Sequence, residues 1–417
     1  GEIVPASERT GQFWVEDMVG SGFQNSGVRR VFESQNFNSG GEMSTGNSQK
    51  IVVVGAGIVG AAIAFYLSRL EVDVTVLEAE TPGAGASGHS FAWINSFGKE
   101  PRHYHDLNRR SMDTWDRFSR LLDGEIGLRW GGHLTWTAND ADAESLRAQV
   151  KRLQSWGYNA RMVDKNWMTA TEPGLNPGVV TAAAHTANEA HVLPPRVAKL
   201  CMDRVRLNGG KVHLNRRVTG IQASSGGGVT VVETPDGSFE CDVVVLAAGL
   251  GNTELASSVG IDLPQQDSPG VVIRTDPRPT VLRSVAALYC PPNSDGQPEI
   301  HIRQDVDGVL MIGEGSQESM TRDDSQAHAD DLLSRAIQYL PALAGSTAIP
   351  VPVGYRPLPM DDLPVVGFAQ KTPSVYIALM HSGVTLAPLI GELAATEITS
   401  GTKVDVLEPY RLERFSQ

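Results

Sequence analysis

Six consecutive residues offer the first chemistry: Gly55, Ala56, Gly57, Ile58, Val59 and Gly60 spell GAGIVG, and Glu78 follows Gly55 by 23 residues. The GxGxxG spacing suits a diphosphate. Its first glycine permits a tight turn, its second lets phosphates approach the backbone, and its third lets a helix pack closely on a strand. A helix start at this point adds unpaired N–H groups and a dipole that favours negative charge. A carboxylate at Glu78 could accept hydrogen bonds from ribose hydroxyls and would repel a 2′-phosphate.

A lone GxGxxG is weak, so its flanks decide. IVVV at 51–54 suits a strand buried on both faces, IVGAAIAFYLSRL from Ile58 carries helix formers with an apolar stripe, and VDVTVLEAE from Val72 reads as a second strand. Strand, helix and strand within about 30 residues make a βαβ unit, and with the acid in register they read as a dinucleotide site. Beyond Glu78, TPGAGASGHS brings small residues and hydroxyls along which a large cofactor could continue. DVVVLAAG is another buried strand, open at its tip through Ala247, Ala248 and Gly249. GLGN at 249–252 lacks a third glycine, so no second fingerprint is present and electrons are expected to enter from the substrate.

Elements that could position these residues follow along the chain. Helices are expected at 105–122, at 141–156 before Gly157, and from Pro194 to a Gly209–Gly210 stop. KVHLNRRVTGIQ reads as one strand, and residues 229–240 as a hairpin turning on PDG. Between 262 and 350 short strands (GVVIRT, EIHIRQ, GVLMIGEG) precede a helix around HADDLLSRAIQYL, which indicates an antiparallel or mixed sheet. The C-terminal stretch from Ser374 reads as strand, small-residue turn, helix. The expected fold class is α/β, with a Rossmann-like nucleotide domain and a second α+β domain. The nucleotide domain is discontinuous, at 50–125, 190–260 and 355–417, and the second domain takes 126–189 and 261–354. Residues 1–49 read as a polar flexible leader without a signal peptide's apolar region, with Met43 a plausible native start.

Composition narrows the partners. The 417 residues carry 48 acidic against 35 basic side chains, a formal charge of −13 that argues against a nucleic acid partner. Cys201, Cys241 and Cys290 are far apart and form no ligand-spaced cluster, so neither a metal site nor a disulfide framework is expected. No run of 18 apolar residues could span a membrane, and a cytoplasmic location is expected. A homo-oligomer is left open.

Taken together, IVVVGAGIVGAAIAFYLSR, VTVLEAETPGAGASGHS, VTGI, DVVVLAAGLGN, GYRPLPMDDLPVVG and HSGVTLAPLIGELAA span most of the chain from 50 to 400. In these motifs the sequence resembles the D-amino acid oxidase-like family of FAD-dependent amine and amino acid oxidoreductases. The resemblance implies an FAD-binding domain roofed by a substrate domain. It implies that Gly55, Gly57, Ile58 and Gly60 hold the diphosphate, Glu78 the adenosine ribose, and Ala86 and Ser87 the phosphate and ribityl path. Val218 would contact adenine through its backbone, and Ala248 and Gly249 would line the cofactor. Gly383, Val384, Thr385 and Leu386 would start a helix near the pyrimidine edge of the flavin, where N–H groups stabilise the charge of the reduced ring.

Catalytic roles fall by the same resemblance on Arg356 and His381. Arg356 would grip a substrate carboxylate through its planar fork, or would form a salt bridge between domains. His381 would face flavin or substrate, or would cap a loop. His89 stands where some relatives place a residue near the flavin, but GHSF does not match the covalent motifs, so non-covalent FAD is expected. Two departures stand out. Ser268, Pro269 and Gly270 replace a common Arg-Gly-Gln, and Trp93, His133 and Trp136 add aromatic bulk that is either core or the wall of a larger pocket. The implied reaction is oxidation of the C–N bond of an amino acid, or of a secondary or cyclic amine bearing a carboxylate, by hydride transfer to flavin N5 giving an imine. O2 or another acceptor would reoxidise the flavin. A 2-hydroxy acid dehydrogenase using His381 or His133 as base, a tailoring oxidase or desaturase, and a protein with structural FAD are the alternatives.

Overall fold

The computed structural model describes residues 48–223, 228–292, 296–315 and 321–416, and these build two large sheets. The leader read at 1–49 lies, apart from its last two residues, outside the described residues. The first sheet has six strands in the order Val365–Ala369, Thr372–Leu379, Val243–Leu246, Gln49–Val54, Val72–Leu77 and Lys211–His213. All its pairings are parallel except that of the Val365–Ala369 edge. Ile51–Val54 and Val243–Leu246 are buried throughout, as a parallel sheet covered on both faces requires.

Helices Ile58–Leu67 and Gly383–Ser400 pack side by side on this sheet. An added Cβ at Gly391 would come within 3.0 Å of Ala62 Cβ and backbone, so glycine is what allows the close approach. At Gly60 the constraint is tighter still: its Cβ would lie 2.1 Å from the Gly55 carbonyl oxygen. The parallel register pairs Val54 with Leu77 and Leu246, and Leu246 with Ile377, which brings the C-terminal tips of these four strands to one end of the sheet.

The second sheet has eight strands and is mixed. Its strands Ala287–Cys290 and His133–Thr137 run parallel, and its remaining pairs are antiparallel. Helices Asp140–Ser155 and Gln326–Tyr339 pack on it, the second around a core of Leu288, Ile302, Ile312 and Leu332. The α/β class with a Rossmann-like sheet and a separate mixed sheet is thus present.

Two local expectations change. The helix expected at 105–122 is two helices, Arg102–Met112 and Trp115–Leu122, because Thr114 turns its hydroxyl back on the Ser111 carbonyl and interrupts the ladder. KVHLNRRVTGIQ is two strands in different sheets, Lys211–His213 and Gly220–Gln222. Between them Asn215 adopts a left-handed φ of 54°, and the Arg216 N–H donates to the Glu78 carbonyl at 2.7 Å, which turns the chain across the strand tips.

Candidate active site

The open end of the first sheet holds a cavity of about 460 Å³. Gly55, Gly57, Ile58, Glu78, Ala86, Ser87, Val218, Ala248, Gly249, Gly383 and Val384 all line it. Gly55, at φ +98°, makes the turn out of the first strand, and a Cβ there would lie 2.5 Å from the Ala247 carbonyl oxygen. Gly57 is different: its Cβ would touch only Ser87 Oγ, at 3.5 Å, so its backbone is bare toward the cavity. Ile58 N–H donates to Ser87 Oγ at 3.0 Å, and Ala56 N–H donates to the Glu78 carboxylate at 2.7 Å. The loop and the acid are therefore held in register with each other. Gly60 and Leu386 line neither cavity described here; Gly60 packs under the turn, and Leu386 is fully buried with its N–H donating to the Ser382 carbonyl.

A second cavity of about 370 Å³ lies against the eight-stranded sheet. It shares Ala86, Ser90, Tyr355, Pro357, His381 and Val384 with the first, so these residues form the wall between them. Arg356 and Thr385 face this second space. The half-buried Arg356 guanidinium donates from Nη1 to Ser268 Oγ at 3.3 Å and to the Pro269 carbonyl. No carboxylate among the described residues lies within ion-pair reach of it. The departure at Ser268–Gly270 thus supplies its seat.

Burial, with the Lys99 and Arg356 cations adding to it, pulls the His381 imidazole down to about 3, so it is neutral at physiological pH. Burial pulls His301 down to about 3 as well, with Arg356 contributing. His133 lines neither cavity. It is buried behind the Trp93 and Phe97 rings at centroid distances of 4.8 and 4.7 Å, and Trp136 is core, donating to the Pro177 carbonyl. Trp93 does face the second cavity. So does His89, whose Nδ1 lies 3.0 Å from the Gly85 carbonyl oxygen.

Several cavity residues carried no signal in the sequence. Lys99 is 7% exposed and donates to Ser382 Oγ at 2.8 Å, just before the helix that begins at Gly383. Burial pulls its ammonium down to about 8, opposed by the charge of Glu189. Tyr289 and His301 reach the cavity from strands whose alternation reads simply as sheet, and Glu299 reaches it from just before the second of them. Asn95 Oδ1, in the same wall, is buried without a hydrogen-bond partner and offers an acceptor to a ligand. A bare glycine cradle, a helix start and an orphaned acceptor together fit a dinucleotide carrying a polar ring. Among the described residues no group of His, Cys, Asp or Glu is placed to hold a metal ion.

The model of the FAD dependent oxidoreductase (DAO) family matches residues 50–397. The chain belongs to that family. It is an FAD-dependent oxidoreductase, and its general chemistry is oxidation of the C–N bond of amino acid or amine substrates. Among curated relatives, a subunit of the opine oxidase of Rhizobium meliloti is 26% identical, over 88% of this chain and 97% of its own length. Glycine oxidase of Geobacillus kaustophilus is 25% identical, over 87% and 96%. The crystal structure of the latter enzyme superposes with a TM-score of 0.77 at 22% identity, covering 88% of this chain and 99% of that one. No helix among the described residues is long and apolar enough to cross a membrane.

Proposed function

We propose that this oxidoreductase acts on an amino acid, or on a secondary or cyclic amine bearing a carboxylate, with Arg356 gripping that carboxylate. One observation carries the reading: a half-buried guanidinium with no acidic partner among the described residues faces the cavity that adjoins the glycine cradle. Burying such a charge unpaired is costly, and a ligand carboxylate relieves the cost.

Gly55, Gly57, Ile58, Gly60, Glu78, Ala86, Ser87, Val218, Ala248 and Gly249 would hold non-covalent FAD, and Gly383 to Leu386 would lie at its pyrimidine edge. The segments 50–125, 190–260 and 355–417 would form the cofactor domain, and 126–189 with 261–354 the substrate domain. Bound FAD would supply the electron sink for oxidation of the C–N bond. The protein's own task is placement: Arg356 fixes one end of the substrate, and the neutral His381 can accept a hydrogen bond from the amine. Amine substrates are favoured over 2-hydroxy acids for a stated reason. A hydroxyl needs a base to take its proton, and His381 and His301, held near 3, are weak ones.

The test is anaerobic bleaching of the flavin in the purified holoprotein by panels of amino acids, N-substituted amino acids and hydroxy acids. Bleaching by amines is expected; bleaching by hydroxy acids alone would refute the reading.

A further inference from the structure

The second cavity contains an acid that no described residue neutralises. Glu299, half-buried just before the strand Ile300–Gln304, lines the same space as Arg356. Its carboxylate makes no hydrogen bond or ion pair with any described residue. Glu314 in the same wall, by contrast, is paired with Arg335. Burial, with Asp142 adding to it, pushes the Glu299 carboxyl upward, the mark of an anion lacking a counterion.

Tyr289 pairs with His301 across the strand register, and both line this cavity together with Glu299 and Arg356. Arg356 is seated on Ser268 and the Pro269 carbonyl, not on Glu299, so the cavity carries a cation and an anion that are not paired with each other. Aromatic faces line the same space: Tyr289 stacks on His301 at 5.2 Å, and Phe91 meets His301 edge-on at 4.4 Å.

We infer that Glu299 recognises a second, positively charged group on the substrate. The molecule oxidised is then a basic amino acid or an N-substituted derivative of one, with its carboxylate on Arg356 and its distal ammonium or guanidinium on Glu299. This rests on the role given to Arg356 above. A neutral side chain would cover the carboxylate without pairing it, and an acidic one would be repelled, so one residue both selects and rejects. The aromatic faces suit the aliphatic stem and the cation alike.

The experiment is anaerobic flavin reduction by matched pairs, arginine against citrulline and lysine against norleucine, in both stereochemistries and as N-carboxyalkyl derivatives. The basic member should be favoured in kcat/KM by about tenfold or more. Glu299→Gln should bring that ratio toward one, and Glu299→Lys should turn the preference toward glutamate, with flavin absorbance reporting that each variant is loaded. Wild-type preference for the neutral members, or none, overturns the inference while leaving C–N oxidation standing. A basic preference that survives Glu299→Gln in loaded protein overturns the role of Glu299. If a variant fails to hold flavin, the wild-type ratio decides. Failure of every amine to bleach the flavin removes the underlying reading, and this inference with it.

Discussion

Arg356 lies against Gly270 because that residue has no side chain: a Cβ there would come within 2.5 Å of Nη2. The guanidinium is consequently seated on backbone and on Ser268, not on an acid, and remains available to an anion. Arg356→Ala should raise the apparent KM for a carboxylate-bearing amine by about tenfold or more while flavin content changes little. Steady-state kinetics with the flavin-to-protein absorbance ratio checks it, and loss of flavin with KM unchanged would contradict it. Glu189 gives a pH-dependent prediction at the same scale. It is fully buried, accepts from the Phe97 N–H at 3.2 Å and from the Tyr158 hydroxyl at 2.5 Å, and burial pushes its carboxyl up to about 7. The folded state therefore keeps a proton that the unfolded chain releases near 4.5. The stability this group contributes is full below about pH 4.5 and is lost as pH rises through about 7. Glu189→Gln should remove that loss, so its Tm relative to wild type should improve from pH 5 to pH 8 in calorimetry.

At the scale of elements, the cradle depends on how closely two helices approach. Gly391 faces Ala62 with no room for a larger residue, and the Gly383–Ser400 helix carries both Gly391 and the residues Gly383 and Val384 of the first cavity. Gly391→Leu should force these helices apart, costing about 1–3 kcal/mol and lowering flavin content with it. Denaturant melts and bound-flavin absorbance would show both effects, or neither if the packing is slack. The cradle was legible in the sequence because its chemistry is local: GAGIVG, its flanking strands and Glu78 fall within 51–78. The second cavity was not. Lys99, Tyr289, Glu299 and His301 come from distant segments, and only the tertiary fold, with the order of the eight strands for Tyr289 and His301, brings them together. Alternation along Ile300–Gln304 says which face each residue takes, but not that His301 will meet Tyr289 across the register. Arg356 and His381 entered the argument through resemblance alone, since neither has a spacing that marks it. The split of the 105–122 helix was hidden for another reason: a threonine hydroxyl competing for backbone is compatible with a helical pattern until its rotamer is known.

For the whole molecule, the −13 formal charge and the Arg356 and Lys99 cations of the cavity work in combination. An acidic surface disfavours anions at long range, whereas Arg356 and Lys99 attract them at short range, so anionic ligands are selected by fit to the cavity and not by general attraction. A distal cation on the substrate reduces the long-range penalty, which agrees with the acid Glu299 in the cavity wall.

The six residues shared by the two cavities have a kinetic corollary. A guest lodged against Tyr355, Pro357 and His381 braces the partition it has in common with whatever occupies the neighbouring chamber. A tight, unreactive carboxylate inhibitor should therefore slow the escape of FAD into an excess of an apoprotein that binds FAD tightly, and Arg356→Ala should abolish that retention. Escape at the same speed with and without the inhibitor would mean that the two chambers empty by separate routes.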